Sequence, residues 1–180
     1  MRKRFSVLRI VRRIIELYKK GILLKKLKMR IVFEIKRKNF KPFIIKKKFD
    51  KFKFPFYIGN LEGLEWYILN FESKRSYELE FSVKRIIKKG DTVFEVGSHH
   101  GFTTIILSKA VGDEGKVYAF ETFPDNVKIL RKNLEINNIK NVEIIKKAVG
   151  SRKGKIHIHG SDGINNYGTK KEVEVELINP

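Results

Sequence analysis

The feature that most constrains this chain is a regular alternation of strand and helix patterns between residues 92 and 145. Short apolar runs predict strands, and apolar residues three or four positions apart predict the helices between them. The predicted elements are a strand at 92–96, a helix at 102–110, a strand at 116–120, a helix at 125–137 and a strand at 142–145. Because the connections are short and contain Gly, Asn or Asp, we expect a parallel α/β sheet with right-handed crossovers.

The N-terminal part of the chain is strongly basic. Residues 1–53 contain 21 Lys or Arg and three acidic residues, a net charge of +18, whereas the other residues contain 19 and 17, a net charge of +2. Apolar residues at helical spacing between residues 7 and 27 predict a basic amphipathic helix. Two interpretations stay open: a helix that docks on nucleic acid or an anionic membrane surface, or a helix packed on its own domain with a solvated Lys/Arg face.

Seven Phe are interleaved with Lys between residues 31 and 58. The alternation at 49–56 predicts a short hairpin with Phe on one face and Lys on the other, although aromatic rings among cations could also stack nucleobases. Residues 61–71 predict a further strand or hairpin, and residues 76–89 predict a helix. We therefore expect a basic extension at 1–75 and an α/β domain at 76–180, with exposed or edge strands at 155–159 and 172–178.

The chain has no cysteine, which excludes disulfides and thiolate metal sites. Its apolar runs are too short for a secretory signal or a membrane-spanning helix. We therefore expect a cytoplasmic protein, with peripheral membrane association if the basic helix docks on lipid.

The loop after the first predicted strand is the first candidate binding feature, because parallel sheets bind ligands beyond the carboxyl ends of their strands. Gly97 leaves the strand where a side chain would block a ligand, and Gly101 permits a close turn into the next helix. A dinucleotide site would have G-x-G-x-x-G for its pyrophosphate. The G-x-x-x-G spacing with two His inside it instead favours a nucleoside ligand that ends in an amino acid.

The next two loops support the same interpretation. Glu121 ends the second predicted strand, 24 residues after Gly97, where a carboxylate can accept hydrogen bonds from both ribose hydroxyls. After the third strand, at 145–150, a small residue and backbone amides could meet an adenine edge. Three such loops at matching strand ends predict a nucleoside cofactor, and the alternative is a purely structural α/β sheet.

Several motifs resemble the FkbM-type methyltransferase family, namely residues 94–97, 112–121, 133–137 and 141–143. The resemblance implies a class I, Rossmann-like methyltransferase sheet and S-adenosylmethionine as the cofactor. It also implies O-methylation of a sugar or another small-molecule hydroxyl. Gly97 and Gly101 would then flank the methionine end of the cofactor, and Glu121 would hold the ribose.

The site residues that follow from this interpretation surround the three loops. His99 occupies a position where the family has Asn, but a neutral imidazole still offers one donor and one acceptor. A general-base role for His99 or His100 is the sharper alternative to an orienting role, and no catalytic residue is assigned. His157 and His159 lack a further ligand at useful spacing, so no metal site is predicted. The candidate cofactor-binding residues are Glu95, Gly97, Ser98, His99, Gly101, Glu121, Thr122 and Ala148.

The resemblance also implies a departure at the C-terminus, because the family continues past residues 173–178 into a further buried strand with an acidic motif. Without that strand, the first strand would keep an open apolar edge that favours pairing with another chain. The expected partners are thus a small-molecule or glycan acceptor, a complementing polypeptide, and nucleic acid or anionic membrane at residues 1–53. The competing function is a basic binding module on a vestigial α/β scaffold, and an RNA methyltransferase ranks lower.

Overall fold

The computed structural model describes residues 16, 21, 39–69, 75–160 and 171–178. The predicted basic helix at 7–27 therefore lies outside the described residues, except for two isolated positions. The chain divides into two compact units at residues 40 and 41, and the second unit contains nearly all of the described residues. Among these described residues, no helix has the length and apolar character that crossing a membrane requires.

The described part of the chain alternates strands and helices as the sequence predicts. The helices at Leu61–Leu64 and Arg75–Phe81 each continue into a π-helical segment, at Glu65–Leu69 and Ser82–Ile86. The elements in chain order are β1 (Phe43–Phe49), β2 (Phe52–Ile58), α1 (Leu61–Leu64), α2 (Arg75–Phe81), β3 (Thr92–Val96), α3 (Phe102–Val111), β4 (Lys116–Phe120), α4 (Pro124–Ile136), β5 (Val142–Ile145), β6 (Ala148–Val149), β7 (Gly154–Gly160) and β8 (Lys171–Ile178).

Strands β3, β4 and β5 form a parallel sheet in that order, with Val93 opposite Val117 and Val117 opposite Val142. The predicted α/β fold is confirmed, and the five elements between residues 92 and 145 agree with prediction to within one residue. Strand β8 lies between β6, to which it is parallel, and β7, to which it is antiparallel. The two predicted C-terminal strands are therefore confirmed, and they pair with each other. Strand β7 lies at an edge of this sheet, whereas β8 is its middle strand and not an edge strand.

One face of the parallel sheet is buried against α3. Leu107 and Val111 of this helix form a core cluster with Val117, and Val93 packs against that cluster from the neighbouring strand. Leu79 of α2 also contacts the cluster. The branched side chains of β3 and β4 thus pack against the apolar face of α3 in one core. This packing fixes where the loop between β3 and α3 begins.

The opposite face of β3 is open in the part of the chain that the structure describes. Phe94 and Val96 are 61% and 65% exposed, although both belong to an apolar strand. The Phe94 ring stacks on Tyr118 at 5.1 Å between ring centroids. Within the described residues, β4 is the only strand that borders β3, so the strand has the open apolar edge that the sequence predicts.

Strands β1 and β2 form an antiparallel hairpin around Asp50 and Lys51. Phe54 and Phe56 are buried, and their rings lie 5.5 and 5.7 Å from that of Phe102, the first residue of α3. The inward orientation predicted for the hairpin Phe is confirmed. This packing places the hairpin in the same compact unit as the sheet, whereas the sequence assigned it to the N-terminal extension.

The prediction of a strand or hairpin at residues 61–71 is wrong for its described part, which is helical from Leu61 to Leu69. The side chain of Asn60 explains the difference, because its Oδ1 accepts a hydrogen bond from the Gly63 backbone N–H at 2.8 Å. Such an N-cap satisfies a donor that the first helical turn leaves unpaired. The cap starts a helix that carries Glu62 and Tyr67 toward the loop after β3.

Asn133 of α4 joins three parts of the fold and is completely buried. Its Oδ1 accepts the Tyr57 N–H at 2.6 Å, and its Nδ2 donates to the backbone oxygens of Tyr57 and His100 at 3.2 and 2.9 Å. We expect Asn133→Leu to lower the free energy of unfolding by about 3 kcal/mol or more, because buried backbone groups lose their partners. Urea unfolding measures the change.

The matched control for Asn133→Leu is Lys132→Ala. Lys132 lies on the exposed side of the same helix, where its amine is 3.0 Å from Glu135 Oε1. Its substitution should change the unfolding free energy by less than about 0.5 kcal/mol. Equal effects of the two substitutions would contradict the linking role of Asn133.

Candidate functional site: the loop after the first parallel strand

The loop between β3 and α3 is held against the end of β4. The backbone N–H groups of Gly97 and Ser98 both donate to the Phe120 carbonyl, at 2.9 and 3.0 Å, and the Ser98 hydroxyl donates to the same oxygen at 3.3 Å. Ser98 is 3% exposed, so its hydroxyl serves the loop rather than solvent. These bonds bring the loop to the carboxyl ends of two adjacent strands, where α/β sheets bind ligands.

The two glycines of this loop are needed for different structural reasons. Both lie in the left-handed region, with φ of +79° at Gly97 and +86° at Gly101. A Cβ at Gly97 would meet no atom within 4 Å, so the space beside it is open. A Cβ at Gly101 would lie 2.4 Å from Leu130 Cδ1, so this glycine permits the contact between the loop and α4. Gly97 therefore leaves room for a ligand, and Gly101 packs the loop.

Glu121 at the end of β4 faces this loop. Its Oε2 accepts the His99 N–H at 2.7 Å, and its Oε1 accepts the Phe123 N–H at 2.8 Å. The residue is 6% exposed, yet each carboxylate oxygen keeps a lone pair beyond the one used by the backbone. The structure thus brings together the glycine loop and the carboxylate, as an adenosyl-binding site requires.

The remaining predicted site residues lie around this pair. Thr122 is half-buried directly after Glu121, whose own N–H donates to the Ile145 carbonyl at the end of β5. Ala148 is half-buried in β6, where it pairs with Leu177 of β8. The end of β5 therefore adjoins Glu121, whereas Ala148 lies three residues further along. Contact of Thr122 or Ala148 with the cofactor stays a prediction.

Glu95 is a second carboxylate close to the loop. Its Oε2 accepts the Thr104 hydroxyl at 2.6 Å, and burial raises the pKa of Glu95 from 4.5 to about 7. The hydrogen bonds from Thr104 and Ser98 lower this pKa in part, and the negative charge of Glu121 raises it slightly. Near neutral pH the carboxyl is consequently divided between a protonated form that can donate and an ionised form that only accepts.

The raised pKa of Glu95 makes its contribution to stability depend on pH. A carboxyl whose pKa is higher in the folded state favours folding at low pH, and this stabilisation is lost as the pH rises from 4.5 to about 7. The unfolding free energy of the wild type, measured relative to Glu95→Gln, should therefore fall by about 3 kcal/mol between pH 4 and pH 8. Urea unfolding of both proteins across this range measures the difference.

Glu135→Gln serves as the control for the pH experiment, because Glu135 is an exposed carboxylate on α4. The unfolding free energy of the Glu135→Gln protein relative to wild type should stay nearly constant over the same pH range. A wild type and a Glu95→Gln protein that respond identically to pH would contradict the burial of an ionisable Glu95.

A polar and aromatic cluster lies behind the loop. Tyr67 is buried, and its hydroxyl is 2.7 Å from His99 Nδ1. His100 is completely buried, its Nε2 is 3.1 Å from Asn126 Oδ1, and burial lowers the pKa of His100 to about 3. Burial also raises the pKa of Tyr67, so both groups are neutral at neutral pH.

Sequence reasoning did not single out Glu62, Trp66 or Tyr67, which contact the loop from α1 and its π-helical continuation. The Trp66 and His99 ring centroids lie 5.8 Å apart, and Glu62 Oε1 is 3.1 Å from His99 Nε2. The N-cap at Asn60 was the available signal, since a helix beginning there changes which side chains of residues 61–69 face the core.

The family model described as "Protein-L-isoaspartate(D-aspartate) O-methyltransferase (PCMT)" matches residues 12–172. The chain is 29% identical over 94 residues to a protein-L-isoaspartate O-methyltransferase of Methanococcoides burtonii, covering 52% of this chain and 41% of the relative. It is 46% identical over 48 residues to a tRNA (adenine(57)-N(1)/adenine(58)-N(1))-methyltransferase of Methanocaldococcus jannaschii, covering 27% and 17%. A solved S-adenosylmethionine-dependent methyltransferase from Aquifex aeolicus is 39% identical over 34% of this chain and 32% of that chain, with a TM-score of 0.33.

The parallel sheet and the matching family model together define the Rossmann-like fold of the S-adenosylmethionine-dependent methyltransferases. Within that class, the chain belongs to the protein-L-isoaspartate O-methyltransferase family. Its match spans about two fifths of the length of two curated relatives, 41% of one and 39% of the other.

The predicted membership of the FkbM-type family is wrong, because the family model that matches most of the chain is that of the isoaspartate methyltransferases. The motifs behind that prediction surround Gly97 and Glu121, which the sequence interpretation assigns to the cofactor rather than to the methyl acceptor. They therefore indicate the fold and the cofactor but do not distinguish acceptors. The expected sugar or small-molecule acceptor depended on that resemblance and has no support among these relatives.

Proposed function

We propose that this chain takes part in methylating the free carboxylate of isoaspartyl residues in proteins or peptides, with S-adenosylmethionine as the methyl donor. The observation that carries the proposal is the match of the isoaspartate methyltransferase model to residues 12–172. The position of Glu121 beside the glycine loop supports the cofactor site that this activity needs.

The proposed reaction needs little proton chemistry from the protein. S-adenosylmethionine supplies an electrophilic methyl group on a sulfonium when it is bound. An isoaspartyl carboxylate is already ionised at neutral pH, so one of its oxygens can attack the methyl carbon while the sulfur–carbon bond breaks. The products are a methyl ester and S-adenosylhomocysteine. A general base is therefore unnecessary, which favours an orienting role for His99 and His100 over the general-base alternative.

The chain's own residues contribute binding and alignment. Glu121 would accept the ribose hydroxyls, and the open space at Gly97 suits the methionine end of the cofactor. The hydrogen bonds to Phe120 hold the loop in this shape before a ligand arrives, which reduces the ordering cost of binding. A cytoplasmic location is part of the proposal.

The test compares two synthetic peptides that differ only in whether one residue is aspartyl or isoaspartyl. With methyl-labelled S-adenosylmethionine, the full chain should label the isoaspartyl peptide and not its aspartyl counterpart. Mild base should release the label as methanol, because the product is an ester. Glu121→Gln should abolish labelling. Equal labelling of both peptides, or cofactor binding without any isoaspartyl labelling, would contradict the proposal.

A second candidate is methylation of tRNA, which the +18 charge of residues 1–53 favours. A tRNA transcript incubated under the same conditions tests it, and the label would then resist mild base because no ester forms. Binding of tRNA or anionic vesicles that is unchanged between about 50 and 200 mM salt would contradict an electrostatic role for the basic segment.

A further inference from the structure

Three side chains with metal-binding atoms converge behind the loop, although 37 residues separate the first from the second. They are Glu62 of α1 and the adjacent His99 and His100 of the loop, and one ligand atom from each lies within 4.8 Å of the others. The two imidazole rings stack at 3.9 Å between centroids. Two nitrogen ligands and one carboxylate are a set that suits Zn²⁺ and similar divalent ions.

His100 presents a buried nitrogen with no partner among the described residues. Its Nε2 lies 3.1 Å from Asn126 Oδ1, and because an amide oxygen only accepts, Nε2 carries the proton. Nδ1 therefore keeps its lone pair, and it has no hydrogen-bond partner there although the side chain is fully buried. An unpaired buried nitrogen is costly unless something binds it.

The space next to this nitrogen depends on a glycine. A Cβ at Gly63 of α1 would lie 2.9 Å from His100 Nδ1. The absence of a side chain at this position lets the helix approach the imidazole closely. Glu62, the residue before Gly63, is thereby brought to the same side of the loop.

His99 completes the cluster with its outer nitrogen. Its Nδ1 is held by the Tyr67 hydroxyl at 2.7 Å, which leaves Nε2 facing Glu62. His99 Nε2 lies 3.1 Å from Glu62 Oε1, but without the alignment of a hydrogen bond. Two ligand atoms on one tetrahedral ion stand roughly 3.3 Å apart, so this spacing already suits a shared ion.

We propose that Glu62 Oε1, His99 Nε2 and His100 Nδ1 bind one divalent transition-metal ion of the Zn²⁺ type. Tyr67 and Asn126 orient the imidazoles through their other nitrogens, as outer partners do in histidine metal sites. Binding draws the three side chains together, since the longest separation exceeds that of a tetrahedral set by about 1.5 Å. The ion joins α1 to the loop whose backbone contacts Glu121. This inference goes beyond the proposed function, because it concerns a structural link independent of the methyl acceptor.

The experiment uses the full chain, freed of metal with a chelator and then titrated with ZnCl₂ by calorimetry and with CoCl₂ by visible absorption. We expect one ion per chain, a rise in the melting temperature, and Co²⁺ absorption of the intensity that four- or five-coordinate sites give. Glu62→Gln keeps the size and polarity of a half-exposed residue but removes a charged ligand, so affinity should fall at least about 10-fold. His100→Phe fills the same buried space and should lose the site altogether.

The matched control is His157→Gln, because His157 is exposed on β7 and lies 3.8 Å from Glu174, far along the chain from the loop. Its substitution should leave the affinity and the Co²⁺ spectrum unchanged. Circular dichroism checks that each variant is folded. If His100→Phe does not fold, the metal affinity of Glu62→Gln decides the outcome. Absence of stoichiometric binding to the wild type, or equal affinity in wild type and Glu62→Gln, would overturn the proposal.

Discussion

Replacing Glu121 with Gln should weaken the binding of S-adenosylmethionine by about 100-fold or more, which corresponds to about 3 kcal/mol. Both carboxylate oxygens accept backbone N–H groups, from His99 and Phe123, and both keep lone pairs for a ribose. Gln has only one acceptor oxygen, so its NH2 group would face one of these two backbone N–H donors, and that hydrogen bond would be lost. The ribose hydroxyls would also lose a charged acceptor. Calorimetry with S-adenosylhomocysteine, which does not react, measures the affinity.

The matched control for Glu121→Gln is Glu143→Gln. Glu143 is an exposed carboxylate on β5, the next strand of the sheet, and pairs with Lys116 at 3.2 Å. The Glu143→Gln protein should bind the cofactor as the wild type does, with nearly unchanged stability. A folded Glu121→Gln protein whose affinity is within threefold of the wild type would contradict the assignment of the adenosyl site.

Gly101→Ala should be among the most destabilising single substitutions in the described part of the chain, with a loss of about 3 kcal/mol in unfolding free energy. Two causes add. The residue has φ of +86°, which disfavours any side chain, and its Cβ would lie 2.4 Å from the Cδ1 of Leu130, which is completely buried. The loop would have to move away from α4, or Leu130 would have to leave its position in the core. Urea unfolding without ligand measures the loss.

Gly97→Ala separates the two causes, because Gly97 has a similar φ of +79° and a Cβ there meets nothing within 4 Å. We expect Gly97→Ala to cost about 1 to 2 kcal/mol, the backbone contribution alone. It should nonetheless impair cofactor binding, since the new methyl group enters the space proposed for the ligand. Equal destabilisation by the two substitutions would show that contact with Leu130 has no energetic consequence.

Local pattern was sufficient to predict the sheet and the proximity of Glu121 to the glycine loop. The strands and helices from Thr92 to Ile145 follow from apolar periodicity, because each buries one face in a common core. The proximity of Glu121 to the glycine loop follows from topology alone, since parallel neighbouring strands end at the same edge. Neither inference needed a long-range contact to be known in advance.

The parts that sequence reasoning missed depend on contacts between distant residues. Glu62 belongs to a segment with an ambiguous apolar pattern, and only the Asn60 cap decides that it is helical. The raised pKa of Glu95 arises from burial by the surrounding fold, which no local motif encodes. The family was misassigned for a related reason: the motifs around the glycine loop and Glu121, which we assign to the cofactor, carry no information about the acceptor.

The side of β3 that stays uncovered among the described residues has a consequence for how molecules of this protein meet in solution. Phe94 and Val96 offer an apolar surface that a second copy could cover, whereas the net charge of +20 makes copies repel one another. Added salt weakens the repulsion and leaves the apolar attraction in place, because ions shorten the range of electrostatic forces. The molecules should therefore stay apart at low ionic strength, and rising ionic strength should bring these apolar surfaces together.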